Sequence, residues 1–252
     1  MFAVLHFIEI LVASFSFFSR IPVPKILLPE REPPYPMMLA VSPLVGGILG
    51  AIWGGVGAFL SLRFAALGAA WASALIYVLL GWGLHLDGLS DVADGWGSGE
   101  SGATLKEVMK DCHCGPYGVV ALVLTLGMWT SLLFALPTWR WITIGIMVGA
   151  SGRWAMCCAS CIGRYPWKSG MALPFVQDFS VKEILYALLC FAIFFLLGPW
   201  LWILSFFSTT FIGALVALWA QKRIGGVSGD VLGTIEVLAE LCALAAIALF
   251  TL

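Results

Sequence analysis

The chain has 252 residues, with 13 Lys+Arg against 14 Asp+Glu and a formal net charge of −1. Apolar residues make up 61% of it, charged residues only 11%, and the mean hydropathy is +1.01. A soluble domain is about half apolar and about a quarter charged, so this composition excludes a soluble enzyme, a disordered chain and a basic nucleic-acid binder. What remains is a multi-pass protein of the lipid bilayer, small enough to form one bundle.

A membrane-crossing helix needs about 20 mostly apolar residues. Runs that qualify fall at about 2–19, 37–60, 64–86, 115–136, 141–162, 183–198, 200–220 and 233–252. The fold class expected is therefore all-α, a polytopic membrane helical bundle of 7–8 transmembrane helices within a single domain, 1–252. The first run lacks a basic flank and a cleavage site, so it reads as a retained segment and not a signal peptide. His6 and Glu9 interrupt it, leaving it either spanning or lying at the interface. Six prolines between Ile21 and Pro36 forbid a continuing helix there. Leu62-Arg63 and Pro137–Arg140 are short turns, and Gly198-Pro199 divides one long apolar run in two.

Charge sets the orientation. The connections 20–36, 87–114, 163–182 and 221–232 carry ten of the 13 Lys+Arg; only Arg63 and Arg140 lie on the other side, and Arg153 falls inside a span. The positive side faces the cytoplasm. Glycine clusters such as Gly46-Gly47, Gly50 and Gly54-Gly55 read as surfaces of close helix packing. The seven cysteines are odd in number, and five of them, Cys157, Cys158, Cys161, Cys190 and Cys242, sit in apolar runs as small hydrophobes.

Polar chemistry concentrates after the third run. Asp87, Asp91 and Asp94 are spaced i, i+4, i+7, which on a helix places three carboxylates on one face. Three anions so close repel one another, and a hard divalent cation that keeps positions open for phosphate oxygens compensates them; this suits Mg²⁺. Lys110 and Asp111 follow on the same side. The Cys112-His113-Cys114 triplet has no second ligand pair and does not read as a soft-metal site. Arg153 inside a span must face the interior or a wet cavity, and it and Arg164 offer fork geometry for phosphate. The last island, Gly225 to Gly233, holds Ser228, Gly229 and Asp230 before the final helix. Its glycines suit an anion at a helix N-terminus, and Asp230 is either a helix cap or a group of the site.

Taken in order, these islands resemble the cobalamin synthase family, also called adenosylcobinamide-GDP ribazoletransferases or cobalamin-5′-phosphate synthases. Phe18–Pro24 is similar to its Arg-Ile-Pro segment, Pro43–Gly46 to its Pro-x-x-Gly helix opening, and His85–Gly95 to its acidic signature. Lys110-Asp111 with Gly115 and Gly118, and Gly225–Gly233, resemble two further blocks. The chain departs from the pattern at His113, where a basic residue is usual, and before Gly170, where an Arg-rich stretch is reduced to Arg164 and Lys168.

The resemblance implies a phosphotransferase of cobalamin nucleotide-loop assembly in the bacterial cytoplasmic membrane, with its active site on the cytoplasmic face. A hydroxyl of α-ribazole, or of its 5′-phosphate, attacks adenosylcobinamide-GDP and GMP leaves. The residues expected to carry it are Asp87, Asp91, Asp94, Asp111 and Asp230 in catalysis, with Asp87, Asp91 and Asp94 holding Mg²⁺. His85, Lys110, Arg153, Arg164, Ser228 and Gly229 are expected to bind substrate. Self-association and association with other corrinoid-assembly enzymes are further expectations. A CDP-alcohol phosphatidyltransferase would also cluster aspartates at a membrane face, but its Asp-Gly-x-x-Ala-Arg pattern is missing after Gly88. A cation or cofactor transporter would use intramembrane acids and is often built of inverted repeats; no such halves are visible.

Overall fold

The computed structural model describes residues 2–30, 33–111 and 113–251, among which the chain is helical with no strand. Arg31, one of the ten clustered cations, and Cys112 lie outside the described residues. Helix α1 (Phe2–Phe18) leads through the proline-rich connection to α2 (Tyr35–Leu60). There Pro36 sits in the first turn, where its missing N–H removes no helical bond. α3 (Ala66–Gly81) stops at Trp82-Gly83, both left-handed at φ 52° and 69°, and α4 (Leu84–Gly97) leaves at 92° to it. The run expected to span 64–86 therefore ends at Gly81. α4 turns away from α3 and packs against α11 and α6.

After α5 (Gly102–Met109), Pro116 opens α6 (Pro116–Ala135), and α7 (Trp141–Ile162) follows a tight turn. α8 (Leu173–Val176) is a single turn. α9 (Val181–Ala192) starts at a capping box in which Ser180 and Glu183 each bond the other's backbone. α10 (Pro199–Arg223) and α11 (Gly229–Thr251) complete the chain.

Five helices, α2, α6, α7, α10 and α11, are long and apolar enough to cross a membrane, and the bent α3–α4 pair makes six. The sequence reading of 7–8 spans also counted α1 and α9. At 17 and 12 residues these are shorter than the five.

α2, α7 and α11 are the central helices, whereas α6 and α10 show most of their length to the outside, with Val123, Leu124, Phe207 and Phe211 exposed as lipid-facing side chains would be. Lipid tails are as apolar as leucine, so helices in a membrane gain by packing their backbones closely. α2 and α7 do so through glycine. An added Cβ at Gly46 or Gly50 would stand closer than 3.0 Å to the carbonyl oxygen of Gly149 or Gly145, and one at Gly54 would press on that of Trp141. The i, i+4 spacing of these glycines lines them up on one face.

Pro43 lies inside α2 and cannot bond the Leu39 carbonyl one turn back. The buried Cys157 of α7 supplies the donor instead, its Sγ 3.2 Å from that oxygen. One of the cysteines read as a small hydrophobe thus also repairs a broken helical bond.

Gly50→Ala should lower the melting temperature of the detergent-solubilised protein, at a cost of about 1–3 kcal/mol for overpacking. Gly127→Ala, where an added Cβ meets nothing within 4 Å, should leave it unchanged or raise it slightly. Equal effects from the two would remove the glycine seam as the packing determinant.

Candidate active site

Asp87, Asp91 and Asp94 fall on α4, and Asp230 falls in the first turn of α11. Two glycines bring these helices together. A Cβ at Gly88 would stand closer than 3.0 Å to the Asp230 carbonyl oxygen, and one at Gly233 would crowd the backbone of His85. Thr234 ties the contact, its hydroxyl lying 3.0 Å from the Gly88 carbonyl and 2.8 Å from that of Asp230. The Asp-Gly pair of the acidic signature thus has a packing reason: the residue beside the acid must be small for α11 to reach it.

Asp87, Asp91 and Asp230 line one open cavity of about 530 Å³. Lys110, Asp111 and Gly229 share its wall, as do Tyr165, Trp167 and Ser169 from the connection after α7. Trp167 lies under two ammonium groups, Lys106 at 5.0 Å and Lys110 at 5.6 Å. The connections are joined directly: Val227 N–H donates to the Arg164 carbonyl at 2.8 Å, and Arg223 reaches the carbonyls of Gly99 and Glu100. Sequence reasoning did not single out Tyr165 or Trp167. Their only signal was two aromatic rings in an otherwise polar connection.

Asp91 is the most perturbed acid on this cavity. Burial, then the negative charges of Asp87, Asp230 and Asp94, push its carboxyl from the ordinary 3.8 up to about 7. Asp111 goes the other way: the ring and backbone N–H of His113 both donate to it, at 2.8 and 3.0 Å, and hold it below the usual carboxylate range.

Asp94 does not join the group as expected. Gly115 N–H donates to one of its oxygens at 2.7 Å and Gly118 N–H to the other at 2.8 Å. It thereby satisfies free amides at the start of α6, where a negative charge is favoured by the helix dipole. Its carboxylate lies so close that neither glycine has room for a Cβ. The expected set Asp87, Asp91 and Asp94 is therefore replaced on the cavity by Asp87, Asp91 and Asp230. Among the described residues no three His, Cys, Asp or Glu side chains converge enough to hold a metal ion by themselves.

Three expected substrate contacts are differently employed. Ser228 is fully buried, and its hydroxyl accepts from Val231 N–H at 3.3 Å, so it caps α11. Asp230 is released from the capping role. Arg164 contributes its carbonyl to Val227, and its side chain does not line the cavity. Arg153 is deep in the bundle and 3% exposed, with one guanidinium nitrogen 2.5 Å from Glu236 and 2.6 Å from Glu240. Both pairs use the same nitrogen, and the Arg153 side chain does not line the acidic cavity. His85 is also buried, its Nδ1 3.2 Å from the same Glu236, and Tyr77 reaches that carboxylate at 3.5 Å. The sequence reading passed over Glu236 and Glu240, although two acids one turn apart inside an apolar run are a signal of an intramembrane partner.

The fold and the cavity define a polytopic helical membrane protein with one acidic, lysine-edged site at an end of its bundle. The chain belongs to the cobalamin-5-phosphate synthase family, whose model matches residues 10–248. It is 35% identical over 205 residues to the adenosylcobinamide-GDP ribazoletransferase of Desulforamulus reducens, covering 79% of this chain and 80% of the relative. It is 30% identical over 258 residues to the enzyme of that name from Vibrio cholerae, covering 96% and 94%. With that of Shewanella amazonensis it shares 31% over 245 residues, covering 93% and 92%. No solved structure matches the chain.

The raised Asp91 carboxyl has a consequence for stability. The folded state holds this proton up to about pH 7, whereas the unfolded chain releases it near 3.8. The contribution is thus fully present below pH 3.8 and lost as pH rises through about 7. In metal-free buffer, Asp91→Asn should gain stability relative to wild type as pH rises across this window, measured as the difference in melting temperature. A difference that stays flat with pH would mean that burial and the neighbouring acids do not hold this proton.

Proposed function

We infer that this chain joins adenosylcobinamide-GDP to α-ribazole or α-ribazole 5′-phosphate, releasing GMP and forming adenosylcobalamin or its 5′-phosphate. The observation that carries the reading is the meeting of three distant islands, Asp87/Asp91, Lys110/Asp111 and Gly229/Asp230, on one open cavity in a chain of this family.

Asp87, Asp91 and Asp230 suit a hard divalent cation such as Mg²⁺: they offer anionic oxygens only, they repel one another with Lys110 as the ammonium on the same wall, and the cavity leaves room for phosphate oxygens and water. Such a cation, when bound, neutralises charge on the phosphoryl group in flight. The chain's own residues do the rest. Lys110 draws the pyrophosphate to the cavity wall as a point charge, its ammonium facing the Trp167 ring at 5.6 Å. Asp230, beside Asp87 at the meeting of α4 and α11, accepts the proton of the incoming hydroxyl. Asp111 is the poorer base, because His113 already holds its carboxylate in the charged form. The connections that build the cavity are the Lys+Arg-rich ones, which favours a cytoplasmic site in the inner membrane of a bacterium.

Incubating membranes containing the protein with adenosylcobinamide-GDP, α-ribazole and Mg²⁺ should release GMP and form a complete corrinoid; without that product the reading fails. Because Ser228 caps α11, Asp230→Ser should fold normally and lose at least ~100-fold in turnover, the scale of a general base. Full activity would take Asp230 out of the site.

The orientation has its own check. A cysteine placed at the exposed Ser98 should react with an impermeant thiol reagent only in inverted vesicles, above the background of the native thiols. Labelling from the periplasmic side alone would reverse the topology.

A further inference from the structure

A second, smaller cavity of about 210 Å³ adjoins the acidic one and shares Asp87, Gly229 and Asp230 with it. Its walls are Phe17, Phe18, Leu39, Met156, Phe175 and Leu232. The three rings form a cluster, Phe175 lying 4.8 Å from Phe17 and 5.9 Å from Phe18 between centroids. Among the described residues no Lys or Arg lines it, so it lacks a cationic side chain for a phosphate. Whole-ligand pockets run from about 300 Å³ upward, so a site of this size takes one part of a ligand and not a macrocycle or a nucleotide.

Beyond the two aspartates, the polar side chain on its wall is His85, which is 8% exposed and whose Nε2 has no hydrogen-bond partner. Glu236 faces the other ring nitrogen, Nδ1, so the ring is held as a fixed part of the wall.

We propose that this cavity seats the apolar aromatic base of the incoming nucleoside, with its ribose turned toward the shared acids and its reacting hydroxyl emerging between Asp87 and Asp230. The inference rests on the ribazoletransferase reading and adds the specificity site for its acceptor. Flat aromatic surface against phenyl rings is favoured in edge-to-face and offset arrangements. The two cavities divide the reaction between them: the base is held in the small one, the pyrophosphate lies in the large one, and the shared acids stand where they meet.

The test is steady-state kinetics on membranes containing the wild-type protein, with benzimidazole as the probe. Benzimidazole alone should inhibit competitively against α-ribazole and not against adenosylcobinamide-GDP. Phe175→Leu, which keeps the apolar wall but removes the central ring, should raise KM for α-ribazole about 10-fold with KM for adenosylcobinamide-GDP unchanged. Competition of benzimidazole with adenosylcobinamide-GDP, or no inhibition by it, overturns the assignment even if the variant misfolds. So does a Phe175→Leu enzyme whose KM for α-ribazole is unaltered. If wild-type membranes form no corrinoid product at all, the ribazoletransferase reading itself fails and the subsite falls with it.

Discussion

A charged side chain inside a bilayer must find its partners within the protein, and Arg153 finds two. Its guanidinium on α7 is clamped between Glu236 and Glu240 of α11, one helical turn apart on the same face. Glu236 also holds His85 at the start of α4. One buried ionic group thereby joins α7, α11 and α4. Breaking it would strand charge in a medium that cannot solvate it, the costly case for a buried ion pair. The helix that carries the acidic signature is positioned from beneath by this cluster.

Around that anchor, glycine decides how near the helices come. The Gly46, Gly50 and Gly54 face of α2 meets Gly149, Gly145 and Trp141 of α7, and Gly88 of α4 meets the first turn of α11. These contacts are of one physical kind but have different outcomes. The first builds the middle of the bundle. The second places Asp230 beside Asp87 and Asp91, and so makes the site from residues about 140 positions apart.

The acidic cluster also separates into two roles that share a helix face. Asp94 spends both oxygens on the amides of Gly115 and Gly118 and fixes the start of α6. Asp87 and Asp91 remain turned to the cavity, and the crowding of negative charge there is visible in the Asp91 proton. Lys110 and Trp167 complete the opposite wall. Lys110 brings positive charge to the same wall, where it can draw a phosphate toward the acids.

Much of this was legible in the residues alone. An apolar content of 61% with 11% charge leaves no fold but a membrane bundle, because too few polar groups exist to coat a soluble surface. Hydrophobic run length marked the spanning helices, and the i, i+4, i+7 spacing put three aspartates on one face, since both follow from the periodicity of a single helix. Ordered motifs carried the family. The tertiary structure alone decided which groups meet. It turned Trp82-Gly83 into a 92° corner where run length suggested a continuing span. It took Arg153 away from phosphate and gave it to Glu236 and Glu240, gave the cap of α11 to Ser228, and exchanged Asp94 for Asp230 at the cavity. The physical reason is the same in each case: a polar side chain goes to whichever partner the packing of helices brings within hydrogen-bonding distance, and that partner lies too far along the chain for local spacing to reveal.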